Sequence, residues 1–153
     1  MANDFTYESK IPWKAERKAN TLVIHCSAFD LRPYFADFAA NGLKLAEYDL
    51  VAVPGGVQML TVAHYIAKVR VLMRKWLGFL VEHHNLTKVV IIGHDDCSWY
   101  KDFRFGPIHI DLKQRQIADL KEVAAILREE MKVGVDIYFA HIKDNKVSFT
   151  RVS

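Results

Sequence analysis

Cys26 and Cys97 are the only two cysteines in the 153-residue chain. Cys97 closes the tetrapeptide His94-Asp95-Asp96-Cys97, which brings an imidazole and a thiol within one short turn of chain. Thiolate and imidazole are the donors zinc prefers in a tetrahedral site. A turn of this length can wrap both round one ion, and Cys26 would supply a third ligand from elsewhere. Three protein ligands leave a fourth position open, as in catalytic rather than closed structural sites. His-x-x-Cys alone is a weak signal, so a reactive thiol and two inert buried thiols stay open beside the metal reading. A disulfide between them is not expected in a reducing compartment.

The elements that must position these groups follow from hydrophobic pattern. Leu22–Cys26, Leu50–Val53 and Val89–Ile92 are short, nearly continuous apolar runs. Strands covered on both faces read this way in parallel sheets. Val135–Ile142 has the same character, and Lys146–Val152 alternates more. The turn signal Asp144-Asn145 between the last two predicts a hairpin with an antiparallel edge strand. Met59, Val62, Ile66, Val69, Met73, Trp76 and Leu80 recur at three or four residues and form one helical stripe facing the core. Ile117, Leu120, Ala124, Leu127 and Met131 form a second, on a helix near 110–132. Pro33 is placed to open a shorter helix to Ala40, stopped by Asn41-Gly42. The expected fold is α/β: an open, mostly parallel sheet of four parallel strands plus an antiparallel edge strand, with helices on both faces.

Ligands in such sheets bind beyond the carboxyl ends of the strands. The first strand ends at His25-Cys26, the second at Pro54-Gly55-Gly56 and the third at Gly93-His94, with Cys97 three residues on. Both thiols therefore fall on the rim where this fold places chemistry. Successive side chains on a strand point to opposite faces, which directs His25 into helix packing rather than to the metal.

On these residues the chain resembles the β-class carbonic anhydrases. The pieces are Val23-Ile24-His25-Cys26-Ser27, then Asp49 to Gly56, then Val89 to Cys97, in the family's order and spacing. The resemblance runs from about residue 20 to about residue 142. It implies a Zn2+ ion held by Cys26, His94 and Cys97, a homodimer or higher homo-oligomer, and hydration of carbon dioxide by water activated on the metal. The family also carries an Asp/Arg dyad after its first cysteine. An ungapped match sets Ala28 and Asp30 at those positions, whereas a two-residue shift sets Asp30 and Arg32 there, with the internal spacing kept. On that reading Asp30 and Arg32 are the catalytic pair, and Gly55-Gly56 lets backbone approach the substrate pocket. Val53-Pro54 and Ser98 depart from the family's usual residues.

Two other readings compete. A non-catalytic or differently specific zinc protein of the same fold would explain a displaced dyad. His25-Cys26-x5-Arg32 also spells the signature of cysteine-dependent phosphatases. That chemistry needs amides ringed round a phosphate. This loop has no glycine, sets the charge of Asp30 against the phosphate, and leaves His94 and Cys97 unexplained.

Composition bounds the rest. An apolar share of 51% and a charged share of 25% exclude a mainly disordered chain. The net charge of +3 does not argue for nucleic acid or anionic lipid. No run approaches the roughly 18 apolar residues of a membrane span. No secretory pattern opens the chain, so a cytoplasmic protein acting on a small molecule is expected. Residues 1–19 read as a polar arm anchored by Trp13, and 20–153 as a single domain. Solvated or capping roles are expected of His64, His83 and His84, structural roles of His109 and His141, and Asp95 is expected to bond nearby amides.

Overall fold

The computed structural model describes residues 7–13, 18–61, 67–102 and 111–153. Val62, His64, Ile66 and His109 lie outside the described residues. The strands are β1 (Thr21–Cys26), β2 (Asp49–Val53), β3 (Lys88–His94), β4 (Gly134–Lys143) and β5 (Lys146–Arg151). They form one sheet in the order β2-β1-β3-β4-β5. β1 pairs in parallel with β2 and β3, β3 in parallel with β4, and β5 runs antiparallel at the edge. The four-parallel-plus-one sheet expected from the pattern is the one observed. Asp144 and Asn145 both take positive φ, which gives the two-residue hairpin between β4 and β5 the twist such turns favour.

β1 is buried along its whole length and β3 from Val89 onward. Their side chains alternate between two apolar layers. Leu22, Ile24, Val89 and Ile91 face one layer; Val23, Val90 and Ile92 face the other. β2 departs from expectation. Its residues alternate between half-buried and exposed, and Leu50 is 49% exposed. The run is apolar on both faces, but β2 stands at the sheet edge, so only one of its faces is covered.

Helices lie on both faces. α1 (Arg32–Asp37) carries Pro33 in its first turn and continues as a π-helical turn over Phe38–Gly42. Phe35 and Phe38 of this segment pack on the second layer, and Ala39 is buried. The opposite face takes α2 (Gln58–Thr61), α3 (Ala67–His83) and α5 (Leu112–Met131), while α4 (Ser98–Lys101) sits at the rim. Asp111 caps α5 by accepting the N–H groups of Lys113 and Gln114. Leu120, Ala124 and Leu127 are buried along α5, as its stripe predicts.

α3 corrects the first stripe. Met73 is buried, but Trp76 is 55% exposed, and Leu77 and Val81 take the core positions. Steps of four residues from Met73 keep the inward face at Leu77 and Val81. Trp76 joins Leu72 and Phe79 on a second apolar face that the described residues leave exposed. At the helix end His84 meets the Asp49 carboxylate at 2.5 Å and ties α3 to the start of β2.

Candidate metal centre

Cys26 is the last residue of β1, where Cys26 pairs with Val53 and the Ser27 N–H donates to the Val53 carbonyl at 3.1 Å. After Val53 the chain reverses through Pro54-Gly55-Gly56, closed by the Gly56 N–H donating to the Val53 carbonyl at 2.8 Å. Proline presets the first central residue of such a turn, and the second needs a positive φ. Gly55 has φ +70°, and a Cβ there would lie 2.2 Å from the Trp99 ring. Glycine is thus required twice over. The turn aims the Gly55 N–H at the Cys26 sulfur, 3.4 Å away.

His94 ends β3. Asp95 and Asp96 turn the chain, Asp96 at φ +62°, and Cys97 precedes α4. The three ligand atoms of Cys26, His94 and Cys97 all lie within 4.8 Å of one another, and all three residues are buried. The two sulfurs are 3.9 Å apart. His94 Nδ1–H donates to the Asp95 carbonyl at 2.7 Å, which fixes the tautomer and leaves Nε2 as the ligating atom. That Nε2 is buried with no hydrogen-bond partner. A buried polar atom without a partner is costly. An orphan imidazole nitrogen beside two thiols fits a thiophilic divalent cation. The expected trio therefore forms a group able to hold a metal.

Electrostatics in the metal-free trio are divided. A hydrogen bond from Cys97 lowers the Cys26 thiol to about 4, against its burial, with His94 and the Gly55 amide helping. The Cys97 thiol is pushed up by that same hydrogen bond and by burial. Burial lowers His94, but the Cys26 sulfur close beside it, its bond to the Asp95 carbonyl and the charge of Asp30 outweigh this and raise it. The Cys26 sulfur thus carries the anionic charge of the pair, and Cys97 holds the proton that a cation would displace.

A cavity of ≈ 400 Å³ opens on Cys26 and His94. Its walls include Phe29, Leu31, Pro54, Trp99 and Ile142, with Asp30, Asp95 and Asp96 as the charged groups. Asp30 therefore shares a cavity with Cys26 and His94, and its Oδ1 accepts the Leu31 N–H at 3.1 Å. Arg32 stands exposed in the first turn of α1 and does not line the cavity. Among the described residues no ion pair joins Asp30 to Arg32. Asp95 accepts the Ile142 N–H at 3.1 Å, and Asp96 pairs with Lys101. His25 stacks on Phe35, ring centroids 4.3 Å apart, away from the trio, and His141 bonds Thr150 at 2.7 Å.

Sequence reasoning missed Gln116. Its side chain on α5 is bonded to both main-chain groups of His94. The signal was present: Gln116 lies four and seven residues before Leu120 and Val123, a polar residue on a buried stripe. It also missed the buried Tyr100, whose hydroxyl donates to Asp119 at 2.8 Å and anchors α4 to α5.

With this geometry in place, solved structures of the same fold can be compared. No protein-family model matches the sequence, and no curated protein matches it. Three β-carbonic anhydrases share the fold. That of Streptococcus mutans is 13% identical with TM-score 0.53, covering 92% of this chain and 87% of its own. The CafD enzyme of Aspergillus fumigatus is 14% identical with TM-score 0.53, covering 94% and 95%. A tetrameric enzyme of Sordaria macrospora is 11% identical with TM-score 0.54, covering 90% and 84%. The chain has the β-carbonic anhydrase fold.

Proposed function

We propose that this chain is a zinc-dependent lyase of the carbonic anhydrase kind, acting in the reversible hydration of carbon dioxide. The observation that carries the reading is the convergence of Cys26 Sγ, Cys97 Sγ and an orphan His94 Nε2 at the carboxyl ends of β1 and β3. Zinc in an open three-ligand site supplies an acidified water as nucleophile near neutral pH.

The chain's own groups do the rest. Cys26, His94 and Cys97 hold the ion, and the Gly55 amide supports the Cys26 thiolate. Phe29, Leu31 and Ile142 give the cavity an apolar wall suited to a small uncharged substrate. In this proposal Asp30 accepts the hydrogen bond that orients the attacking water and passes its proton outward. Arg32, two residues on, is the proposed cationic partner of Asp30 in the catalytic pair. Gly55 leaves room for the Trp99 ring that walls the cavity, and Gly56 lets the turn approach the β1 backbone at His25 and Cys26. The phosphatase reading is not favoured, since it needs Arg32 beside Cys26 and Arg32 does not line their cavity.

We also propose a homo-oligomer in the cytoplasm. The exposed face of Leu72, Trp76 and Phe79 and the half-exposed β2 edge support the first. The two free thiols support a reducing compartment. No helix among the described residues is long and apolar enough to cross a membrane.

Stopped-flow hydration of carbon dioxide tests the activity. Zinc-loaded protein is expected to exceed the buffer rate between about pH 7 and 9 and to lose the excess on chelation. A rate equal to buffer, with one zinc per chain, would leave a non-catalytic zinc protein of this fold.

A further inference from the structure

His94 is the last residue of β3, two beyond Ile92, where the pairing of β3 with β1 ends. Its main-chain N–H and C=O would lack that neighbouring strand. Gln116 stands in for it. The His94 N–H donates to Gln116 Oε1 at 2.7 Å, and Gln116 Nε2 donates to the His94 carbonyl at 3.0 Å. One carboxamide thus satisfies both backbone groups of a single residue. Gln116 is 5% exposed and His94 4% exposed, so no solvent competes for these bonds.

The neighbouring glycine makes room. A Cβ on Gly93 would fall 2.8 Å from Gln116 Oε1 and 2.8 Å from Leu120 Cδ1. Only a residue without a side chain lets the carboxamide reach the strand end. The ring is then fixed in a second stage, by Nδ1–H donating to the Asp95 carbonyl at 2.7 Å. Backbone and ring constraints together leave Nε2 buried, unbonded and grouped with the two sulfurs.

We propose that Gln116 is a positioning residue for the metal centre: it sets the backbone of His94 so that Nε2 meets the ion. The inference rests on reading Cys26, His94 and Cys97 as a metal set. Partners that orient a metal ligand are commonly worth 10–100-fold in metal affinity. A residue acting through His94 must also lose its effect once His94 no longer ligates.

The test uses the full chain and Zn2+, with affinity read by chelator competition and geometry by the electronic spectrum of the Co2+-substituted protein. Wild type is expected to bind one ion. Gln116→Met, of similar length and without hydrogen bonds, is expected to weaken Zn2+ binding by about 10–100-fold and to shift the cobalt bands. Gln116→Glu keeps an acceptor for the His94 N–H and is expected to fall between the two; it carries the test if the Met variant does not fold. In a His94→Ala background, Gln116→Met is expected to change affinity no further. Wild-type affinity and spectrum in the Gln116 variants would overturn the proposal. So would a full additional loss in the double variant, since Gln116 would then only support the fold. Failure of the wild-type chain to bind Zn2+ would sink the metal reading itself, before any variant is compared.

Discussion

The two chain segments that meet at the metal centre are held in different ways. The segment from β3 to α4 is tied at several residues. His94 is clasped by Gln116, and Asp95 donates its N–H to the Ala140 carbonyl and accepts the Ile142 N–H through its carboxylate. Asp96 pairs with Lys101, and Tyr100 is anchored on Asp119. The segment from β1 to α1 has hydrogen bonds to another element only at its start, where Cys26 and Ser27 are paired to Val53, and is packed at its end by the buried Leu31. Beyond it Phe29 is 80% exposed, Asp30 holds its own neighbour's amide, and Arg32 faces outward. The comparison separates two tasks. Ligands belong to strand ends locked by long-range bonds, whereas the groups assigned to substrate sit on a loop with local bonds only.

The largest effect should come from the ligands. Replacing His94 or Cys97 with alanine is expected to cost most of the zinc affinity, leaving weak but titratable binding, and to reduce hydration to the buffer rate, measured by chelator competition and stopped flow. Asp30→Asn should leave zinc content unchanged and lower kcat by about 10²-fold or more, in the range of general acid–base groups. An Asp30 variant that loses zinc instead would erase the division between the segments.

Gly93→Ala should disturb the rigid segment without touching a ligand. Its methyl collides with Gln116 and Leu120, and overpacking of this sort costs about 1–3 kcal/mol. The expected readout is a Tm lower by several degrees together with weaker zinc binding.

Zinc affinity should fall with acid. Cys97 holds its proton more tightly than a free thiol and must release it to the ion, and His94 is shifted in the same direction. Every proton displaced contributes about a factor of ten per pH unit, and chelator titrations between pH 6 and 8 would show it.

Smallest is a contribution remote from the site. A hydrogen bond from Lys88, opposed by burial and aided by the charges of Lys88 and Arg151, holds the Asp136 carboxyl below the usual range. A depressed carboxyl stabilises the fold above its unfolded value of about 3.9, and that stability is lost as pH falls through the folded value. Both cations are partly exposed, so about 1 kcal/mol or less is expected. Asp136→Asn should lower Tm by about 2–4 °C near pH 7, and the difference should close as acid protonates the wild type.

Much of this was legible before any coordinates. Continuous apolar runs marked β1 and β3, and Asp144-Asn145 marked the hairpin, because burial and turn chemistry are local. The trio was legible because strand ends converge in an open α/β sheet. What the pattern misplaced depends on neighbours. Leu50–Val53 is as apolar as a central strand, yet edge position uncovers one face. Trp76 is as apolar as Leu77, and only the packing of α3 decides between them. Gln116 was hidden because its partner is a backbone 22 residues away. No local signal in Ala28–Arg32 says how that loop bends, and the dyad had to be placed by spacing.

Zinc-edge X-ray absorption on purified, metal-loaded protein tests the central claim most directly. The account predicts one zinc per chain with two sulfur ligands, one imidazole and one further light atom. Protein without stoichiometric zinc, or zinc bound without sulfur, would contradict it.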